Sequence, residues 1–186
     1  MLELILAVSF AVFISAGCSL FEAVLYALPS RHIEVMAQAG KPGGKIFKKM
    51  RENVDRPIAA ILSLNTIANT AGAAFAGASA TAVLGHAWLL YFSILFILII
   101  LVFSEIIPKT AGVVYSRALA PFVAYPLKLL VWLMTPAIWL SGLITQLVYR
   151  GKTKESVTAK EIRIMAEMSL RTGGIKPYQE QAIENI

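Results

Sequence analysis

The stretch SEIIPK, Ser104 to Lys109, ends the long apolar run Ala87–Phe103 with a carboxylate, a proline and a lysine. Pro108 has no amide hydrogen, so in an α-helix the carbonyl of Ser104, four residues earlier, loses its partner. In hydrocarbon an orphan carbonyl is costly unless something satisfies it, and a cation can do so. Glu105 contributes negative charge at the same depth, whereas a carboxylate buried alone takes up a proton instead. Ser15, Ser19 and Glu22 recur at i, i+4 and i+7 in another apolar segment, so they share one helix face. Asn65 and Asn69 stand four apart in a third, with Thr66 and Thr70 on the neighbouring stripe. Together Ser19, Asn65, Asn69, Ser104 and Glu105 offer only hydroxyl, amide, carbonyl and carboxylate oxygen. That donor set suits a hard cation such as magnesium, calcium or sodium rather than zinc or copper. Glu22 joins it as a second carboxylate if it faces the same side.

Each of these residues also has a purely structural reading. Asn, Ser and Thr tie membrane helices together, Glu22 can pair with Arg31 or reach the interface, and Glu105 can pair with Lys109 one turn on. Polar groups on three separate apolar segments still ask for a common explanation, because each one left uncompensated opposes insertion. His32 and His86 are not placed to join, and the single Cys18 excludes an intrachain disulfide. The spans contain no nucleophile beside a base, no paired histidines and no zinc-type cluster, so enzymatic chemistry is not expected.

The elements that must position these groups follow from hydropathy. The 186-residue chain is 58% hydrophobic and 15% charged, with a mean hydropathy of +0.70, which places it in a bilayer. Leu4–Leu28, Pro57–Leu84 and Ala87–Ile107 are each long enough to cross roughly 30 Å of hydrocarbon as helices. Glu3 near the start and apolarity beyond twenty residues argue against a cleaved signal peptide. Ser15–Cys18 (SAGC) lacks the basic lead of a lipoprotein cleavage box. The connection between the first two spans carries Arg31, Lys41, Lys45, Lys48, Lys49, Arg51 and Arg56, while Ser79–His86 carries no Lys or Arg. This asymmetry puts the N-terminus outside and the C-terminus in the cytoplasm. The formal charge of +6 then faces anionic lipid, and nucleic acid is not an expected partner.

Within that connection KIFKKMRENV sets Ile46, Phe47, Met50 and Val54 on one side, as an amphipathic helix at the membrane surface does, with KPGG before it as a hinge. Leu119–Tyr149 is apolar but interrupted by Pro121, Pro126, Lys128 and Pro136, and bases follow it. A bent hairpin dipping into the inner leaflet is expected there rather than a fourth crossing. From Ser156 the chain turns polar, with Thr158 and Glu161 as a capping box, Gly173–Gly174 as a helix stop and Pro177 as a new start. The second of these helices runs to Ile186 without a stop signal, the pattern of a chain continuing into a further domain. Ala68, Gly72 and Ala76 form a small-residue stripe for close helix packing, within a subunit or between two copies.

SLFEAVL in the first span, NTIAN in the second and EIIPK closing the third resemble the transmembrane domain of the CNNM/CorC, or cyclin M, magnesium transporters. The resemblance implies an all-α integral membrane fold of three transmembrane helices with a juxtamembrane helical belt. Residues 1–150 would be the membrane domain and 151–186 the start of a cytoplasmic helical bundle, without the nucleotide-binding CBS pair through which ATP would act. It implies a homodimer in the plasma membrane, exporting Mg2+ in a cycle proposed for some members to be Na+-coupled. A dehydrated Mg2+ would be held by Ser19, Asn69 and Glu105, with Asn65 close by and Pro108 shaping the break. The alternative is a Mg2+-binding sensor or scaffold that does not transport. The chain departs from the family pattern in SLFEAVL, which differs from the commoner small-residue version of that motif and leaves the role of Glu22 open, and in a tail where Lys160, Arg163, Arg171 and Lys176 offset the glutamates.

Overall fold

A computed structural model describes residues 1–140. The expected bundle start at 151–186 and the part of the hairpin after residue 140 lie outside the described residues. The described residues are helical, with no strand among them. Three helical stretches are long and apolar enough to cross a membrane: Leu2–Ala27, Asp55–Leu84 and His86–Val114. The first is α1 (Leu2–Ala27) and the second α4 (Asp55–Leu84). The third is composite: a 3₁₀ turn His86–Trp88, α5 (Leu89–Ile99), a π-helical stretch Ile100–Ile106 and α6 (Ile107–Val114). Between the first two crossings lie α2 (Ser30–Gln38) and α3 (Pro42–Glu52), and α7 (Ser116–Leu133) follows the third.

The boundaries differ from the hydropathy reading in ways the backbone explains. The second span begins at Asp55 rather than Pro57, because a proline in the first turn loses only an amide that has no helical partner there. The third continues to Val114, seven residues past the expected Ile107. The break expected at Pro108 is a change of helical register. The Ile107 amide donates to the carbonyl of Val102, five residues back, and Pro108 then opens α6 within its first two positions, where a missing donor costs little. Gly85 makes the tight turn between the second and third crossings at φ +81°, a left-handed conformation that glycine adopts without strain.

Helix α1 is the central element, packed between α4 on one side and the third crossing on the other. Its contact with α4 is made by small residues. Gly72 sits so close to Ala11 that an added methyl would come within 2.4 Å of the Ala11 Cβ. Ala68 and Ala76 of the same stripe are buried, so the four-residue repeat serves packing inside the subunit. Gly112 of α6 approaches α1 equally closely at Leu20–Val24.

Two apolar clusters result. The smaller one joins Leu4 and Ala11 to Ala76, Ala80 and Phe96. A larger one gathers the far ends of α1 and α4, through Leu25, Leu28 and Ile61, onto Ile33, Phe47 and Met50 of α2 and α3 and Val123, Ala124 and Leu127 of α7. The belt is therefore three helices around one end of the crossings. The apolar face of α3 packs largely on protein: Phe47 is fully buried and Met50 nearly so. Val54 falls outside α3, which ends at Glu52. KPGG is the first turn of α3 rather than a hinge. Its Gly44 lies against α2, where a Cβ would stand 2.4 Å from the Ala37 amide. Lys48 on the exposed side reaches Glu34 of α2 at 3.0 Å, and its hydrogen bond holds the Glu34 carboxyl below its ordinary pKa. Pro121 and Pro126 lie inside α7, which ends at Leu133 with a turn at Met134 before Pro136.

Candidate metal centre

The polar side chains lie in a band between the two apolar clusters. Three contacts fix their relative depth. Gly72 meets Ala11, Ser15 Oγ donates to Asn65 Oδ1 at 2.8 Å, and Ser104 Oγ donates to the Val12 carbonyl at 3.1 Å. From Val12 to Ser19 a helix rises about 10 Å. The polar groups of α1 and their partners from α4 and the third crossing therefore share about two turns of α1.

Within this band the candidate residues differ in what satisfies them. Ser15 and Ser104 are fully buried and hydrogen-bonded. Asn65 is partly buried, and its side-chain oxygen is engaged by Ser15. Ser19 Oγ and Asn69 Oδ1 are buried and have no hydrogen-bond partner. Leaving such atoms unsatisfied costs about 1–3 kcal/mol each, so each marks a place where a donor or a cation would be stabilising. Glu105 is partly buried, and its carboxylate makes no ion pair or hydrogen bond among the described residues. Thr66 and Thr70 are exposed and stand outside the band.

Glu22 has a different situation. Its carboxylate lies 3.2 Å from Lys109 Nζ, with both side chains partly exposed. The pair borders a lateral cavity of about 360 Å³ that Tyr26 and Val113 also line. Neither alternative partner expected for the carboxylates, Arg31 for Glu22 or Lys109 for Glu105, is used. The π-helical stretch takes an extra residue per turn, so Lys109 no longer stands over Glu105 as it would one regular turn on. The close approach at Gly112 brings α6 near enough for Lys109 to reach across to α1.

Among the described residues no three His, Cys, Asp or Glu side chains stand together. Of the expected ligands, Ser19 and Asn69 keep uncommitted oxygens, and Glu105 is the carboxylate not matched by a lysine. Ser15 belongs to the arrangement as the residue that orients Asn65. The i, i+4 repeat of Ser15 and Ser19 was its sequence signal. Arg51 was not visible as a structural residue. Its Nη2 donates to the carbonyls of Leu25, Tyr26 and Leu28 at 2.9, 3.2 and 2.7 Å, closing the C-terminal end of α1, and nothing in the local pattern separated it from its neighbouring bases.

Three apolar crossings, a helical belt at one end and a buried band of oxygen-bearing side chains define a multi-span α-helical membrane domain. The family model described as "Cyclin M transmembrane N-terminal domain" matches residues 5–179, and the chain belongs to that family. It is 35% identical over 186 residues to the UPF0053 protein sll1254 of Synechocystis, covering all of this chain and 54% of that protein. It is 29% identical over 140 residues to the UPF0053 inner membrane protein YfjD of Escherichia coli, covering 74% of this chain and 32% of that one. A chloroplastic DUF21 domain-containing protein of Arabidopsis, At1g55930, is 28% identical over 151 residues, 78% of this chain and 23% of its own length. The chain thus spans about half the length of the Synechocystis protein and less of the other two.

Proposed function

We propose that this domain carries Mg2+ across the membrane, in the export direction, by binding the ion with its water shell reduced between α1, α4 and the π-helical stretch. The observation that supports this reading most is the pair of buried, unpartnered oxygens, Ser19 Oγ and Asn69 Oδ1, on two different crossings. Both belong to the ligand set that the family resemblance implies. Glu105 supplies the charge. Magnesium gives up water reluctantly, so neutral oxygens alone would not offset its dehydration, and a carboxylate free of a lysine partner is the group that can. Ser15 and Ser104, fixed by their own hydrogen bonds, hold the helices in register around the ion. The Glu22–Lys109 pair lies beside the path and is electrically balanced, so Glu22 is assigned a structural rather than a ligating role. The domain works with the N-terminus outside and the bases of α2 and α3 inside, as a homodimer in the plasma membrane, and a sodium gradient is the coupling force the family resemblance suggests. It catalyses no covalent chemistry.

The test is Mg2+ release from loaded proteoliposomes, read with an external Mg2+ dye, for wild type, Glu105→Gln and Asn69→Ala. Flux is expected to fall at least about tenfold in both, the effect of losing one charged or polar ligand at roughly 1.4 kcal/mol or more. A Glu105→Gln protein that transports at the wild-type rate overturns the assignment. Mg2+ binding by calorimetry without flux, in wild type, would instead identify a sensor. Repeating the measurement with and without a sodium gradient decides the coupling.

A further inference from the structure

The belt encloses a second polar site that the ion band does not use. A cavity of about 530 Å³ opens between α3, the start of α4 and α7, and four cations from these three elements line it: Lys45, Lys49, Arg56 and Lys128. Lys45 and Lys49 are one turn apart on α3, while Lys128 comes from a helix otherwise apolar after Arg117. Among the described residues Glu52 is the one carboxylate lining the cavity, so their formal charge at its wall is four minus one, +3. None of the four cations forms an ion pair or a side-chain hydrogen bond among the described residues, in contrast to Lys48 on the other side of α3, which is held by Glu34. Four like charges converge here from three separate elements against a single carboxylate among the described residues, an arrangement that is unfavourable unless an anion occupies the space.

We infer that this cavity binds the headgroup phosphate of an anionic phospholipid. Its depth fits: Arg56 and Pro57 lie in the first turn of α4, at the end of a helix long and apolar enough to cross a membrane, where a headgroup would sit. On α7 Tyr125 and Trp132 are exposed, the residue types that settle at a membrane–water boundary. Its composition fits a lipid better than a dissolved anion. Met50, Pro57 and Val131 give the wall an apolar part beside the cations, suited to the glycerol and first acyl carbons attached to a headgroup. Basic pockets between helices at a membrane surface bind lipid headgroups by this combination of charge and apolar contact. Occupation would tie α3 and α7 to the start of α4, and so brace the belt against the crossing that carries Asn65 and Asn69.

The experiment uses the full chain in nanodiscs of mixed phosphatidylglycerol and phosphatidylcholine, with retained lipid counted by native mass spectrometry after release. Wild type is expected to retain phosphatidylglycerol over phosphatidylcholine by roughly tenfold or more, two unpaired cations at a membrane surface being enough for that preference. The Lys49→Gln/Lys128→Gln double variant should lose the preference, while Lys48→Gln, with the same change of charge per residue on the same helix, should keep it. Millimolar inorganic phosphate should leave the retained lipid in place. The inference is overturned if wild type shows no preference, if the double variant retains as much as wild type, or if Lys48→Gln loses as much as the double variant. Displacement by inorganic phosphate also overturns it, in favour of a site for a soluble phosphate. These readouts are independent of Mg2+ flux.

Discussion

At the scale of single residues, what matters is which polar atom each side chain finds. Arg51 donates to three carbonyls at the end of α1, a helix whose last turn has no base of its own. A cation at a helix C-terminus also meets the negative end of its dipole. Truncation to alanine leaves those carbonyls without their donor and is expected to destabilise the domain by about 1–3 kcal/mol. Thermal unfolding in detergent should show a lower Tm for Arg51→Ala, with only partial recovery in Arg51→Lys, whose ammonium keeps the charge and the donors but sits on a shorter side chain than the Nη2 it replaces. An unchanged Tm for Arg51→Ala would mean that water satisfies the carbonyls as well. The oxygen-bearing residues were legible as a set in the sequence. Their roles were not: of the two asparagines one turn apart, Asn65 is bonded to Ser15 and Asn69 is left free, a distinction that side-chain type and spacing do not contain.

At the scale of elements, close approach decides the packing. Gly112 on α6 and Gly77 on α4 both sit in apolar helices, yet only the first is crowded. A methyl at Gly112 would stand 2.6 Å from the Ala23 Cβ and 3.1 Å from the Leu20 carbonyl, whereas nothing lies within 4 Å of one at Gly77. Gly112→Ala should therefore push α6 off α1 and destabilise the domain by about 1–3 kcal/mol. Gly77→Ala should be neutral or stabilising by up to about 1 kcal/mol, since an unfolded chain with alanine has less conformational freedom to lose on entering the helix than one with glycine. Paired thermal melts check this, and a Gly77→Ala penalty equal to that of Gly112→Ala would place an unrecognised neighbour on α4. The same geometry carries a functional corollary, because displacement of α6 would separate Lys109 from Glu22. Sequence periodicity identified the three crossings, α3 and the small-residue stripe of the second crossing, but not α2. It missed the start of α3, where two successive glycines read as a hinge and are instead contact surfaces, Gly44 for α2 and Gly43 for both α2 and α7.

At the scale of the whole domain, two apolar clusters clamp the ends of the crossings and leave the polar band between them. The bases of α2 and α3 lie with the larger cluster, and the His86–Trp88 turn lies at the opposite end of α4. Lysine and arginine are retained on the cytoplasmic side during insertion, so the belt should face the cytoplasm. In a Cys18→Ser background, His86→Cys should react with a membrane-impermeant maleimide in intact cells, and Lys41→Cys only after permeabilisation. Both positions are exposed, so the opposite labelling pattern would reverse the orientation, and with it the side from which an ion enters the band.

Residence in a bilayer, the three crossings and the supply of hard oxygen ligands were determined by the sequence itself, because hydropathy, helical period and side-chain type are properties of short stretches of chain. Tertiary structure alone decided that Lys109 neutralises Glu22, that Arg51 closes α1, that Pro108 follows a π-helical stretch, and that Ser19 and Asn69 keep unpaired oxygens in a shared band. Those outcomes depend on the register of helices whose contacting residues are tens of positions apart, as with Ser15 and Asn65 or Val12 and Ser104. That register is set by where small residues let two backbones approach, and it appears only when the helices are packed together.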